Sequence, residues 1–212
     1  IIGFIFHLFI KEPVTNYYYY LFTGLVAWNF FSLSLSRATQ SIVNERSLIN
    51  KASFPRAVIP VAIILSNLIN YLSAFLLFLV PILFLKTLSG TSIIYFFFGM
   101  SLLIIFTIGL SLLTSALNVR FRDVSFFVQA VLIVWFYATP IIYSLAQIPP
   151  HLLWLWRFNP LTSVIQLMQH ALIGSALPDQ STLIYNLTTI VIVTVLGVYI
   201  FEKESISFDD WL

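Results

Sequence analysis

"NKASFPRAVIP", Asn50 to Pro60, is a short polar break between two long apolar runs. It gathers two cations and two prolines in a chain of 212 residues that is 60% hydrophobic and 8% charged. A soluble domain is about a quarter charged. With a mean hydropathy of +0.99, this chain cannot cover itself with polar surface. The bilayer is therefore the expected solvent, and the break reads as a connector at one membrane face.

The segments on either side of the break follow the same logic. A span takes ~20 apolar residues. Runs free of Asp, Glu, Lys and Arg cover Pro13–Ser36, Ala57–Leu85, Thr87–Val119, Val124–Trp156, Phe158–Pro178 and Gln180–Phe201. The expected spans are 16–42, 57–85, 92–117, 124–144 and 183–201, with residues 1–10 as the end of a further one. The chain opens on Ile1, so a preceding piece is expected, and no signal-peptide pattern is present. All spans should be helical, because lipid offers no partner to free backbone groups. The residue alternation of a membrane barrel is absent. The whole reads as one all-α, polytopic membrane domain over residues 1–212.

The connectors carry unequal charge. Arg37, Arg46, Lys51, Arg56, Arg120, Arg122 and Lys203 fall on one side, and Lys11, Lys86 and Arg157 on the other. The positive-inside bias makes the first side cytoplasmic. Loops 43–56 and 118–123 and the tail 202–212 then lie in the cytoplasm. "NYYYY" (Asn16–Tyr20) and "LLWLW" (Leu152–Trp156) fit interfacial aromatic belts. Arg37, five residues before Ile42 or ~7.5 Å along a helix, is either a snorkelling anchor or part of a polar path or anionic-lipid contact.

Residues 149–178 differ from the other connectors. Asn159, Thr162, Ser163, Gln166, Gln169 and His170 make the stretch too polar for a lipid-facing span, and Pro149, Pro150, Pro160 and Pro178 punctuate it. Two short helices, 150–157 and 161–175, are expected to re-enter the membrane from outside, or to lie on its surface. Thr107, Ser111 and Ser115 set a small polar stripe on one helical face, suited to close helix packing or to a substrate path.

Several chemistries are excluded. No phosphate-binding glycine loop is present, and no intramembrane Asp, Glu or Lys marks an ion relay. Cysteine is absent, which removes disulfides and thiolate sites. His7, His151 and His170 lack metal-ligand spacing. Asn186-Leu187-Thr188 matches a glycosylation sequon by chance, at the head of a span. A net charge of +2 gives no reason to expect nucleic acid.

The first cytoplasmic loop mixes charge with Leu48, Ile49 and Phe54. Leu48 and Ile49 could face one side of a short surface helix ended by Pro55. Apolar side chains held beside charges suggest a docking surface for a partner, or side chains tucked into headgroups. Pro60 falls in the first turn of the next span, where proline is tolerated.

"GLVAWNFFSLSLSRATQSIVNERSLINKASFPRAVIPV" (Gly24–Val61) closely resembles the permease subunits of ABC-2-type exporters of polysaccharides and polyol phosphates, the O-antigen, capsule and teichoic acid exporters among them. The matching positions are Gly24, Trp28, Phe30, Phe31, Leu48, Ile49, Lys51, Phe54, Pro55, Arg56 and Pro60. "LNVRFRDV" (Leu117–Val124), "ATPIIYS" (Ala138–Ser144) and "RFNPLTSVIQ" (Arg157–Gln166) resemble further family segments. The resemblance covers nearly the whole chain.

That resemblance implies a six-span permease, here about five complete spans plus the end of the first, with outer re-entrant helices at 149–178. It implies that two copies form the channel and that two separate ABC ATPase subunits drive it, carrying ATP and Mg, so that this chain binds no cofactor or metal and is not itself an enzyme. Loop 43–56 becomes the coupling element seated on the ATPase, through Glu45, Leu48, Ile49, Lys51, Phe54, Pro55 and Arg56. Arg120, Arg122 and Asp123 form the second cytoplasmic loop. A lipid-linked glycan or polyol-phosphate polymer is the expected cargo, with Tyr17, Trp28, Phe30, Phe31, Arg37, Tyr143 and Arg157 as candidate path residues. The expected setting is the bacterial plasma (inner) membrane, multi-pass among its lipids, with the C-terminus cytoplasmic. The alternatives are an ABC-2 exporter of small hydrophobic compounds and, in another class, an integral-membrane glycan-modifying enzyme. The enzyme would need clustered acids or histidines, and the exterior offers only Glu12, Asp179, His151 and His170.

Overall fold

The computed structural model describes residues 16–49, 54–85 and 90–208. The expected partial span at residues 1–10 lies outside them, as do Lys51, His7, Lys11, Glu12 and Lys86. Every regular element among the described residues is helical. α1 is Tyr17–Asn44 and α2 a single turn, Arg46–Ile49. α3 is Val58–Leu85, α4 Gly90–Arg120 and α5 Val124–Tyr137. α6 is Leu153–Arg157, α7 Pro160–Ile173 and α8 Gln180–Ser205.

Three of these, α3, α4 and α8, are long and apolar enough to cross a membrane. Their outward faces are rich in exposed aliphatic side chains, such as Leu76, Leu77, Ile94 and Val195, which suits lipid. α1 has 28 residues, or ~42 Å at 1.5 Å per residue, against ~30 Å of hydrocarbon. It is more polar than the other three and sits in the middle of the bundle, against α3, α4, α5 and α7. Its hydroxyls meet protein there. Asn67 Nδ2 donates to Ser34 Oγ at 3.2 Å, and Thr39 and Thr114 share a hydroxyl bond at 2.8 Å. In lipid, polar side chains that find partners across helices act as local glue. Phe31, fully buried, stacks on Phe106 with ring centroids 5.7 Å apart and meets the edge of Trp135.

α4 and α8 pack closest of all. A Cβ placed on Gly197 would lie 2.0 Å from the Gly109 carbonyl oxygen, and one on Gly109 would lie 2.4 Å from Thr194 Cα. Only hydrogen fits at both positions, so the two backbones touch. The stripe Thr107, Ser111 and Ser115 is fully buried, as close packing requires. Thr107 and Ser115 bond to carbonyls of their own helix.

The expected span 124–144 differs. Its helix stops at Tyr137, after 14 residues or ~21 Å. The cause is local: Pro140 has no N–H to donate and disfavours helical geometry at Thr139. Non-helical backbone at membrane depth survives only when shielded by protein, and Thr139, Pro140, Ile141 and Ile142 are all buried. Beyond it come a short 3-10 turn at Leu145–Gln147 and another at Pro150–Leu152. α6 and α7 match the two short helices expected at 150–157 and 161–175. α7 begins with the Asn159 side chain accepting from Leu161 N and with Pro160 in its first turn, and ends on Gly174 at φ 74°, where only glycine is free of strain. Its face is almost wholly buried against α1, α4 and α8.

Candidate functional sites at the two ends of the bundle

The ends of α1, α4 and α8 and the start of α3 meet in a second apolar cluster: Ile42, Ile49, Ile59, Leu112, Ala116, Val119, Phe201 and Phe208. Arg46, Arg56, Arg120, Arg122 and Lys203 belong to this basic end of the bundle. The charge grouping read from the loops is therefore a spatial grouping as well.

Within the first loop the structure sorts the expected docking residues. Glu45, Arg46 and Ser47 are exposed, and Leu48 is 45% exposed. Ile49, expected beside Leu48 on an outward face, is 7% exposed and packs into the cluster. A single helical turn turns the two side chains about 100° apart, so one faces out and the other in. Phe54 is half-buried against the same cluster rather than free to seat in a partner. Pro55 does not end a helix among the described residues. Its carbonyl accepts from Val58 N at 3.0 Å and opens the first turn of α3. Arg56 lies over the Phe208 ring, 5.9 Å from its centroid. Phe208 is 1% exposed and meets Phe201 edge to face at 5.5 Å. The segment following α8 thus clamps the start of α3, a contact with no local signal in the sequence.

In the second loop Arg120 sits over Phe121, 5.4 Å from the ring centroid, and Arg122 and Asp123 are exposed. Asn118, buried, fixes the turn by accepting from Ser125 N at 3.0 Å. Phe126 and Phe127 are exposed beside it.

The opposite end holds the broken segment after α5. Tyr20 Oη donates to the carbonyls of Pro140, at 3.2 Å, and Tyr143, at 2.9 Å. Tyr17 Oη donates to the Ile142 carbonyl at 3.0 Å. Asn159 does more: its Oδ1 accepts from Trp135 Nε1 at 2.9 Å and from Leu161 N, and its Nδ2 donates to the Ala138 carbonyl at 3.0 Å and to Thr139 Oγ1. These side chains supply the partners that the interrupted helix lacks. Tyr143 Oη donates to the Tyr137 carbonyl at 2.6 Å and accepts from Trp156 Nε1 at 2.7 Å.

Several expected path residues are consequently internal. Tyr17 is buried and bonded within the chain rather than sitting in a belt or path, while Tyr18 is exposed. Phe31 is in the core, and Phe30 and Trp28 show only an edge to the surface. Phe30 borders a groove of about 380 Å³ between α1 and α3 that also holds Asn29, Asn67, Asn70 and Tyr71. Trp28 borders a shallow groove with Phe136 and Tyr137. A run of aromatics is read equally well as path or as core, and here core packing wins for most of them. Arg37 is exposed on α1, and Arg157 is exposed at the opposite end. There the Ser181 hydroxyl donates to Asp179 Oδ2 and holds that carboxyl below the usual carboxylate range, with backbone N–H groups and Arg157 acting in the same direction. Asn186 is buried and donates to Ser163 Oγ at 2.7 Å, so the sequon is structural. Among the described residues, no three His, Asp or Glu side chains gather as a metal site.

Long apolar helices around a polar central helix, with short helices at one end and a basic, aromatic-clamped loop at the other, are the architecture of a multi-pass helical membrane protein. The sequence pattern of the ABC-2 type transporter family matches residues 1–173, and the chain belongs to that family. It is 32% identical to an O-antigen export system permease protein RfbA of Klebsiella pneumoniae, over 99% of this chain and 81% of the relative. It is 27% identical to the protein of the same name from Myxococcus xanthus, over 96% of this chain and 79% of the relative.

Proposed function

We propose that this chain is the membrane permease subunit of an ATP-driven exporter that moves a lipid-linked polysaccharide, of the O-antigen kind, across the bacterial plasma membrane. The observation that carries the reading is the similarity to O-antigen export permeases along 99% of the chain, the coupling loop included. Export of small hydrophobic compounds and glycan modification find no such support. In this reading two copies form the conduit, and two ABC ATPase subunits bind ATP and Mg and meet the basic end, which faces the cytoplasm together with the C-terminus.

The geometry suggests how force would pass. The exposed turn Glu45–Leu48 is the surface offered to the ATPase. Ile49, Phe54 and Arg56 hold that turn to the ends of α1, α3, α4 and α8 through the apolar cluster. A push on the turn then moves those helices together. Only contacts that differ between two states can shift the equilibrium between them, and the clamp is what makes a local push global.

The test is co-purification of the tagged full-length permease with its ATPase, followed by ATPase and glycan-export assays on the pair. A Phe54→Ala, Arg56→Glu double variant should retain ATP hydrolysis while export falls at least tenfold. Unchanged export in that variant would sink the coupling claim, and a wild-type pair that hydrolyses ATP without exporting glycan would sink the cargo claim.

A further inference from the structure

At the end of the bundle opposite the basic cluster, a pocket of about 300 Å³ opens between the turn after α5, α6, the start of α7 and the start of α8. Leucine and alanine side chains form part of its wall, and Trp156, Arg157, Thr162, Gln166, Asp179 and Thr182 supply the rest. A volume of this order is at the small end of ligand pockets, about right for one ring-sized ligand.

The polar groups of this wall are under-used. Thr162 is 0% exposed, and its Oγ1 has no hydrogen-bond partner among the described residues. Buried hydroxyls are seldom left so, because desolvation without a partner is costly. The Gln166 amide, the Thr182 hydroxyl and the Arg157 guanidinium also make no side-chain hydrogen bond among the described residues. Asp179, whose carboxylate already accepts from Ser181 and from backbone N–H groups, places its remaining lone pairs beside this wall. Trp156 is half-buried with its ring nitrogen already committed to Tyr143, which leaves its carbon surface to the pocket.

Donors and acceptors therefore border an apolar floor, with one cation and one anion among them. That arrangement matches a ligand with an apolar face and several hydroxyls, each both donor and acceptor. It does not match a phosphate, which would meet the Asp179 carboxylate. We infer that this pocket binds one uncharged sugar residue, held by Gln166, Thr182, Arg157 and Asp179 with its apolar face toward Trp156. The inference rests on the export reading above and deepens it: the pocket would be a subsite on the outer side of the membrane, where a leaving chain is gripped unit by unit.

The test is saturation-transfer NMR on the full-length permease with its ATPase in lipid nanodiscs, using mannose, galactose and N-acetylglucosamine, with inorganic phosphate as competitor. At least one sugar should give a signal that saturates in the millimolar range. It should weaken tenfold or more in Gln166→Leu and in Thr182→Val, both near the original side-chain volume. It should persist in Asn70→Leu, which alters the α1–α3 groove instead. No sugar signal from the wild type, a signal indifferent to the two pocket variants, or displacement of the sugar by phosphate would each overturn the assignment. The two readings fail separately. Glycan export without any sugar signal removes the subsite alone, whereas sugar binding by a pair that exports no glycan removes the export reading.

Discussion

Tyr20 shows how much one hydroxyl can do in a membrane protein. Its single proton is shared between two carbonyls in the proline-broken stretch, 120 and 123 positions along the chain. Tyr20→Phe keeps the ring and removes the donor. An unsatisfied buried acceptor costs about 1–3 kcal/mol, so the variant should lose about that much stability in detergent, read as a lowered unfolding temperature. An unchanged melting curve would mean that water reaches those carbonyls. Gly197 is the second sensitive position. A methyl group there meets the Gly109 carbonyl at 2.0 Å, and overpacking costs about 1–3 kcal/mol even where neighbours can shift. Gly197→Ala should reduce folded yield and heat stability sharply, while Gly90→Ala, with open space around its Cβ, should not. Neither role was legible in the sequence. "NYYYY" carries no mark that separates an interfacial belt from a set of carbonyl caps, and a glycine's neighbour across helices leaves no local periodicity. Asn159 was visible only as one polar residue among several.

Among the elements, the spans were legible because solvation by lipid acts locally: apolar runs must be helices, and their lengths follow from membrane thickness. The short helices between α5 and α8 were legible from proline punctuation. The shortness of α5 was readable too, since Pro140 stands in the sequence, but an apolar run masks the break. The loop between α1 and α3 was half legible. Its charge and its outward Leu48 follow from composition. The inward turn of Ile49 and the place of Arg56 follow from an apolar cluster that includes Phe208, more than 150 positions away. That contact gives the prediction for this element. Phe208→Ala empties a fully buried aromatic site, a change that costs about 3–5 kcal/mol in cores, and it removes the ring under Arg56. ATP hydrolysis by the assembled pair should continue while export per ATP drops several-fold. Tight coupling in that variant would show that the clamp is merely structural.

For the whole molecule, the two ends have opposite characters. One is basic and apolar-clamped, and the other is built from short helices and turns tied by tyrosine and asparagine side chains. The chain contains no cysteine, so single cysteines report topology cleanly. Ser47→Cys, in the exposed turn, should react with a membrane-impermeant maleimide only after cells are permeabilised. Ala146→Cys, exposed at the opposite end, should react in intact cells. The reverse pattern would invert the orientation and place the sugar pocket in the cytoplasm.

The backbone contact between α4 and α8 bears on what such a molecule can do as a machine. Where side chains separate two helices, rotamer changes let them slide or roll. Where Gly109 and Gly197 touch main chain to main chain, no side chain lies between the helices to supply such slack. The pair behaves as a keel: it can be tilted as a whole, but it cannot be sheared. Any widening of the conduit must then be made by the elements around it, and the proline-broken stretch after α5, whose carbonyls are held by side chains instead of by a helix ladder, is the part of the hull built with joints.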